Sequence, residues 1–439
     1  MPKPLVEEFY FGMTATVKMI GSEIHITMMK RSRLSRRAKQ TPDTELLIRL
    51  ATNLALSGSR IEDAFWDIRL GVLIDRLLAD GDETTLIAAL DQLYGDQERA
   101  YDALADLVEA RCESRAHFAN LAQPTPALES SEGSVSKTNA GKTFDLLLFV
   151  SPMLAWSRFS IPSGAVAAPL LANARVQLQA HIFAKDVRIG LADFLFSPDQ
   201  LPQSYCDTAT LTEKLGKAAL HSRDLHLDPG QMSETANFLS DTRYLLGVVV
   251  APRGAALFRW QEEDGDRDEA LKQWRSQGGE ALRPLLPGCA SELLLPQPYY
   301  AGCRDADRLS RPYSLRASVA YLSTTLNLTP AGLRAVVAPF YDQRLEEYRI
   351  GFTLKNSNEV VHGVVWPLLD AEDDVADMSA LIETLLREIG VGDVLVLDHR
   401  QPLEYCDDCG APLYPNPEGE AVHAELPEEQ ADAIPRHLH

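Results

Sequence analysis

FDLLLFVSPMLAWSR, residues Phe144–Arg158, returns in altered form 146 positions later as ASELLLPQPYYAGCR, residues Ala290–Arg304. In that ungapped register Leu147 meets Leu293, Leu148 meets Leu294, Pro152 meets Pro298, Ala155 meets Ala301 and Arg158 meets Arg304. The same offset continues through Ala174 and Ala320, Arg188 and Arg334, Ala192 and Ala338, and Phe194 and Phe340. Identity is modest. The hydrophobic pattern stays in phase, with Val176 on Leu322, Ile182 on Leu328 and Val187 on Leu333, and this predicts two copies of one unit.

Beyond Phe194 the first copy carries an insertion of about 40 residues around Ser197–Glu234, and then the correspondence resumes. Tyr244–Val250 with Ala255–Trp260, and Tyr348–Leu354 with Val360–Trp366, are predicted hairpins, the second turning at Lys355-Asn356-Ser357-Asn358. Helices are predicted at Asp268–Leu286 and Val375–Ile389, and a last strand at Asp393–His399. Each copy therefore runs strand, helix, strand, hairpin, helix. So few helices among so many strands predict mixed or antiparallel sheets with helices on one face, in the ferredoxin-like manner, rather than a parallel doubly wound sheet. The chain is thus expected to be α+β. Residues 143–290 form the first α/β repeat, 291–400 the second, and 401–439 a cysteine knuckle with an acidic tail.

Ahead of the repeats, residues 41–122 predict a helical bundle. Thr41-Pro42-Asp43 starts one helix, and Ser59 with Glu62 stands in capping-box spacing at the start of the next. Leu46, Leu47, Leu50 and Leu54 lie on one face of the first. Ile61, Phe65, Ile68 and Val72 are expected to give the second its core face. Two further helices are expected around Thr84–Tyr94 and Gln97–Arg111. Residues 123–142 are rich in Pro, Ser and Gly and form a linker.

Residues 1–40 are expected to be an extension carrying a basic arm. Met28 stands where a chain would naturally start, so the residues before it predict an ill-ordered addition. Lys30–Lys39 packs six cations into ten residues, yet the whole chain carries a net charge of −21. That balance disfavours phosphate-backbone binding outside the arm and suits protein partners. Apolar runs such as Leu245–Val250 are too short to span a bilayer, and no membrane role is expected. Six scattered cysteines in 439 residues point to a reducing, cytoplasmic location rather than a disulfide framework.

Common catalytic signatures are absent: no phosphate-cradling glycine pattern, no G-x-S-x-G elbow and no paired zinc-protease histidines. The repeated P-x-x-A-x-x-R places Arg158 and Arg304 just past strand ends, where a guanidinium can fork onto an anion. Together with Arg308 they are the candidate lining of a polar cleft between the repeats; structural ion pairs are the competing expectation. His362 reads as a packed strand histidine, and Glu372-Asp373-Asp374 as a dipole partner of the helix that follows. Cys406-Asp407-Asp408-Cys409-Gly410 supplies two thiols on a tight turn, as in one half of a zinc ribbon. His423 follows at ligand distance, with His437 and His439 further on as a fourth candidate. A structural zinc site, a knuckle fold without metal, and a redox dithiol all remain open, the last opposed by two aspartates that raise thiol pKa.

RLATNLALSGSRIEDAFWDIRLGVLIDRLL, CRDADRLSRPYSLRASVAYL and the terminal YCDDCGAPLYPNPEGE resemble a family of uncharacterised β-proteobacterial proteins, a domain of unknown function. The resemblance implies a bacterial cytosolic protein and no activity, cofactor or site residue. A non-catalytic interaction or regulatory protein is therefore the leading expectation. An enzyme or small-anion-binding protein with its site between the repeats is the alternative.

Overall fold

In the computed structural model the described residues are 41–119 and 142–426, apart from 236–237, 343, 370–371, 373–376 and 408–409. The extension with its arm, linker residues 123–141 and the tail beyond 426 lie outside them.

Capping residues start the helical module as their spacing predicts. The Thr41 hydroxyl accepts the Thr44 N–H at 3.1 Å ahead of α1 (Pro42–Ala55), and Ser59 accepts that of Glu62 at 3.2 Å ahead of α2 (Arg60–Asp80). Gly81, at φ 72°, ends α2 in the left-handed region; α3 (Glu83–Leu93) and α4 (Glu98–Glu113) follow. The core contains Leu47, Leu50, Ile74, Leu77, Leu86, Leu90 and Leu104. One expectation is overturned here. α2 buries Leu70, Leu73, Ile74, Leu77 and Leu78, while Ile61, Phe65, Ile68 and Val72 face solvent. The helix carries two apolar stripes, and periodicity alone selects the wrong one.

α4 passes directly into β1 (Ser114–Ala119), which pairs with the start of β2 (Lys142–Trp156). Then come α5 (Ala168–His181), β3 (Arg188–Phe196), α6 (Tyr205–Leu220, inside the insertion), β4 (Ser240–Pro252), α7 (Arg267–Gln273) and β5 (Ala290–Leu293). The first sheet runs β1-β2-β4-β3 with every pairing antiparallel, and β5 pairs with the far end of β2. Both parities of β2 and β4 are apolar, so both faces are buried. Leu146, Leu148, Val248 and Val250 share one core with the helical module and α6. Leu147, Phe149, Leu245 and Val249 pack against α5 and Trp274–Leu286. Helices therefore cover both faces of this sheet, against the one-sided expectation.

The predicted first hairpin does not form. The Ala255 N–H closes a turn on the Pro252 carbonyl at 2.9 Å, Phe258 meets Phe183 in an isolated bridge, and Arg259–Gln261 is a 3-10 turn. β4 already has β2 on one edge and β3 on the other, which leaves no edge for a return strand. The helix predicted over Asp268–Leu286 is broken after α7 by a π turn at Trp274–Gly278. Trp274 is fully buried there against Gly278, where an added Cβ would come within 2.6 Å of the indole.

The second sheet is built from β6 (Leu333–Tyr341), β7 (Leu345–Leu354), β8 (Val360–Pro367) and β9 (Asp393–Val396), preceded by α8 (Tyr299–Thr325), with α9 (Met378–Glu388) ahead of β9. Its order is β8-β7-β6-β9, with β9 parallel to β6 and the rest antiparallel, a mixed sheet as expected. β7 and β8 form the predicted hairpin. Leu315, Val319 and Leu322 of α8 and Ile382 and Leu386 of α9 pack on one face. In both sheets the strand carrying the equivalent arginine pairs antiparallel with the strand after it, Arg188 of β3 opposite Val250 of β4 and Arg334 of β6 opposite Thr353 of β7, with the second register one residue off the first. They differ on the next edge, where β4 meets β2 from earlier in the chain and β7 meets β8 from later. Among the described residues no helix is long and apolar enough to cross a membrane.

Candidate functional site

Arg304 and Arg308 stand on α8, not past a strand end. Arg304 Nη1 donates to both oxygens of Glu109 on α4, at 2.8 and 2.7 Å. Arg308 pairs one turn back with Asp305 at 3.1 Å. Arg158 is exposed just after β2, and its positive charge acts on Tyr321 near the other end of α8. Seventeen residues of helix separate Tyr321 from Arg304, about 25 Å at 1.5 Å per residue. The structure therefore does not bring Arg158 and Arg304 into one cleft. His362 is half-buried, held within 3.0 Å of the Ser318 hydroxyl, and its pKa is lowered to about 4 by desolvation. Glu372, instead of serving the α9 dipole, takes a bidentate grip from Arg311 at 2.6 and 2.8 Å, and Asp377 caps α9.

Two carboxylates of the helical module cap helices of the α/β units, one in each. Glu83 accepts the Tyr205 and Cys206 N–H groups at 3.1 and 2.9 Å at the start of α6. Glu113 accepts the Tyr300 N–H at 3.1 Å at the start of α8, where Pro298 has no capping side chain. Burial pushes the Glu113 carboxyl up to about 7; the Tyr300 N–H opposes the rise and the neighbouring Glu109 adds to it.

The C-terminal segment lies on the face of the second sheet that the helices leave open. Gln401–Pro402 continues the β9 edge alongside Phe340–Tyr341, and Tyr414–Pro415 pairs with Ala421–Val422. Two glycines admit it. A Cβ on Gly351 would stand 2.2 Å from the Pro415 carbonyl, and one on Gly363 would stand 2.3 Å from the Tyr414 ring. Between these contacts the chain makes a knuckle. Tyr405 bridges Pro412, the Cys406 N–H meets the Ala411 carbonyl at 2.8 Å, and the Gly410 N–H, with φ 70°, meets the Cys406 carbonyl at 2.8 Å.

Arg349 of β7 fixes the base of this knuckle. It is fully buried, with Nε on Glu347 at 2.6 Å, and Nη1 donates to the carbonyls of Glu404 and Leu413 at 2.6 and 2.8 Å. Those carbonyls flank the two ends of the knuckle. Phe340 and Tyr405 sandwich the guanidinium at 4.3 and 4.9 Å. Neither Glu347 nor Arg349 was anticipated. The available signal is Glu347-x-Arg349-x-Gly351, charges and a glycine sharing one face of an otherwise apolar strand.

His423 directly follows the second strand of the small ladder, with Nδ1 3.5 Å from Glu425. Cys409, His437 and His439 lie outside the described residues, among which no group of three or more metal-ligating side chains is assembled. The two concavities described are an open hollow of about 480 Å³ along α7 and one of about 200 Å³ near Arg111, Arg115 and Asp145.

The exposed stripe of α2 is the other feature without a structural occupation. Ile61 is 87% exposed, Ile68 62%, Val72 64% and Phe65 48%, with the Arg69 guanidinium 4.5 Å above the Phe65 ring. That stripe and the arginine-anchored knuckle sit in a chain matched almost end to end by one family model. The chain belongs to the family described as "Protein of unknown function (DUF2863)", over residues 32–437. No curated protein and no solved structure matches it. The DUF2863 match spans the helical module, both sheets and the knuckle, so these parts are one family unit.

Two outcomes follow for this DUF2863 protein. Glu113 binds its proton more tightly folded than unfolded, so its contribution to stability falls as pH rises from about 4.5 toward 7. Glu113→Gln keeps an acceptor for Tyr300 and removes the buried charge. Denaturant unfolding at pH 5 and pH 8 should show the variant gaining about 1–2 kcal/mol on wild type between the two; a constant difference excludes this role. Arg349→Met strands the Glu347 carboxylate and frees both knuckle ends, at about 3–5 kcal/mol. Limited proteolysis should then release the chain beyond residue 401 in the variant first, and equal cleavage of both proteins excludes the anchor.

Proposed function

We propose that this protein is a non-catalytic, cytoplasmic interaction protein whose helical module presents the docking surface. The exposed apolar stripe on α2 carries the proposal, since contiguous apolar surface of this size marks interaction sites on soluble proteins. The acidic charge of the chain and the shallow character of its described concavities support it. The anion-site alternative finds no support in the separation of Arg158 from Arg304. The Lys30–Lys39 arm, outside the described residues, has no part in this proposal. We also read the two α/β units as copies of one ancestral unit, supported by the antiparallel pairing of β4 on β3 and of β7 on β6 beside the equivalent arginines Arg188 and Arg334. A photo-crosslinking residue at Ile68, and as control at exposed Glu388 of α9, tests the docking surface in cells. Protein adducts from position 68 alone are expected, and their absence rejects it.

The knuckle is assigned a structural metal. Cys406, Cys409 and His423 are the proposed ligands, and zinc is the ion that two thiolates and an imidazole suit. The N–H bonds of the turn and the anchored base support this, because a metal staple there would fix the segment that covers the second sheet. Elemental analysis of purified protein should find one zinc per chain, lost in both Cys406→Ser and Cys409→Ser. Metal-free wild type removes the assignment.

A further inference from the structure

We infer that α2 is the two-fold contact of a homodimer, packing antiparallel against α2 of a second copy; this deepens the docking proposal above and rests on it. Ile61, Phe65, Ile68 and Val72 are spaced by four, three and four residues. At 100° per residue they fall within about 60° of arc, a straight seam about 16 Å long. Such a seam fits another helix better than an irregular partner, because knobs every three and four residues find matching holes on a second seam of the same kind. Isologous contact makes one seam complementary to itself. With Leu56, 78% exposed in the loop before α2, each copy offers on the order of 500 Å² of apolar surface. Two copies together approach the roughly 1,000 Å² that a specific interface needs.

The flanking charges select the antiparallel orientation. Glu62 and Arg69 lie on the same flank of the seam, about 90° from its centre, while exposed Ala64 lies on the other, where Arg111 of α4 covers Gly71. A two-fold axis between Phe65 and Ile68 places Glu62 of each copy about 3 Å along the helix from Arg69 of its mate, on both sides of the axis. In a parallel pair Glu62 would lose Arg69 and meet Ala64 instead. Within one chain Arg69 rests on Phe65, and Glu62 accepts the Gly58 N–H at 3.2 Å and the Trp66 indole N–H at 3.4 Å. All three contacts are exposed and compatible with the pairing.

Sedimentation equilibrium of the full chain across about 1–100 μM tests the arrangement, with helicity by circular dichroism confirming that each variant folds. Wild type should be dimeric, and Ile68→Glu should weaken the dimer at least about 100-fold, since a buried unpaired carboxylate enters the seam twice. Glu62→Arg alone, or Arg69→Glu alone, should weaken it about 10-fold, and the double swap should return to within about 3-fold of wild type. A wild-type monomer throughout that range overturns the dimer. If removal of residues 1–40 then produces a dimer, the extension is the occupant. If Ile68 crosslinks only to a different protein, the docking proposal survives and the dimer does not. Dissociation by Ile68→Glu without rescue by the double swap rejects the antiparallel register.

Discussion

One helix belongs to both sheets, and the arrangement of everything else depends on it. Tyr299, Tyr300, Cys303 and Ala306 in the first half of α8 are buried in the core shared by the helical module and the first sheet. Leu315, Val319 and Leu322 in its second half are buried under the second sheet. At 27 residues α8 is about 40 Å long, enough to serve two cores in turn. Sheets joined only by a loop would be free to reorient; joined by a continuous helix, they share one orientation. Glu113 and Arg304 hold the helix to the module, Trp156 donates its indole N–H to the Ala317 carbonyl at 3.0 Å, and Arg311 grips Glu372 beyond β8. Pro312 removes one helix N–H between the two halves without breaking the run.

Buried guanidinium groups recur as the device that pins irregular chain onto a sheet. Arg349 holds the Glu404 and Leu413 carbonyls over the second sheet, and Arg243 of β4 holds those of Ile161 and Pro162 over the first. Each arginine has its acid two residues earlier on the same strand, Glu347 and Asp241. The reason is geometric. A loop crossing a sheet face presents carbonyls without ladder partners, and one guanidinium offers up to five donors in a fixed plane. The acid neutralises the charge that burial would otherwise make costly. These pairs contribute less to net stability than to holding one placement of the covering segment.

Much of the architecture was legible in the sequence, and the failures share a cause. Caps at Thr41 and Ser59, the hairpin turning at Lys355–Asn358 and the helix ahead of Asp393 are local signals, and local signals are what spacing encodes. The first hairpin failed because β4's second edge is taken by β2, a partner about a hundred residues away. A structural ion pair is one of the two readings of Arg304, and Glu372 reads as a helix-dipole partner; spacing does not name their actual partners, Glu109 and Arg311, which come from distant helices. A tight turn was legible at C-x-x-C-G, and the Gly410 N–H closes one on the Cys406 carbonyl. The arginine beneath it was not, because a charged residue in a strand gives no sign of which covering segment satisfies it.

α2 shows the same limit in its sharpest form and gives it a physical meaning. Its inner stripe, Leu70 to Leu78, lies mostly in the second half of the helix, and its outer stripe, Ile61 to Val72, mostly in the first. Either would serve as a core face, and the fold buries only one. Leaving a large apolar side chain exposed forgoes about 1.5–3 kcal/mol relative to burying it. A helix stable on its inner face alone has no folding reason to keep four such residues in register on the outside. Scattered exposed apolar residues are ordinary on any surface; a straight seam of them is not. The periodicity that misidentified the core thus reads as a signal of burial, and in the proposed dimer that burial belongs to the assembly instead of to the isolated chain.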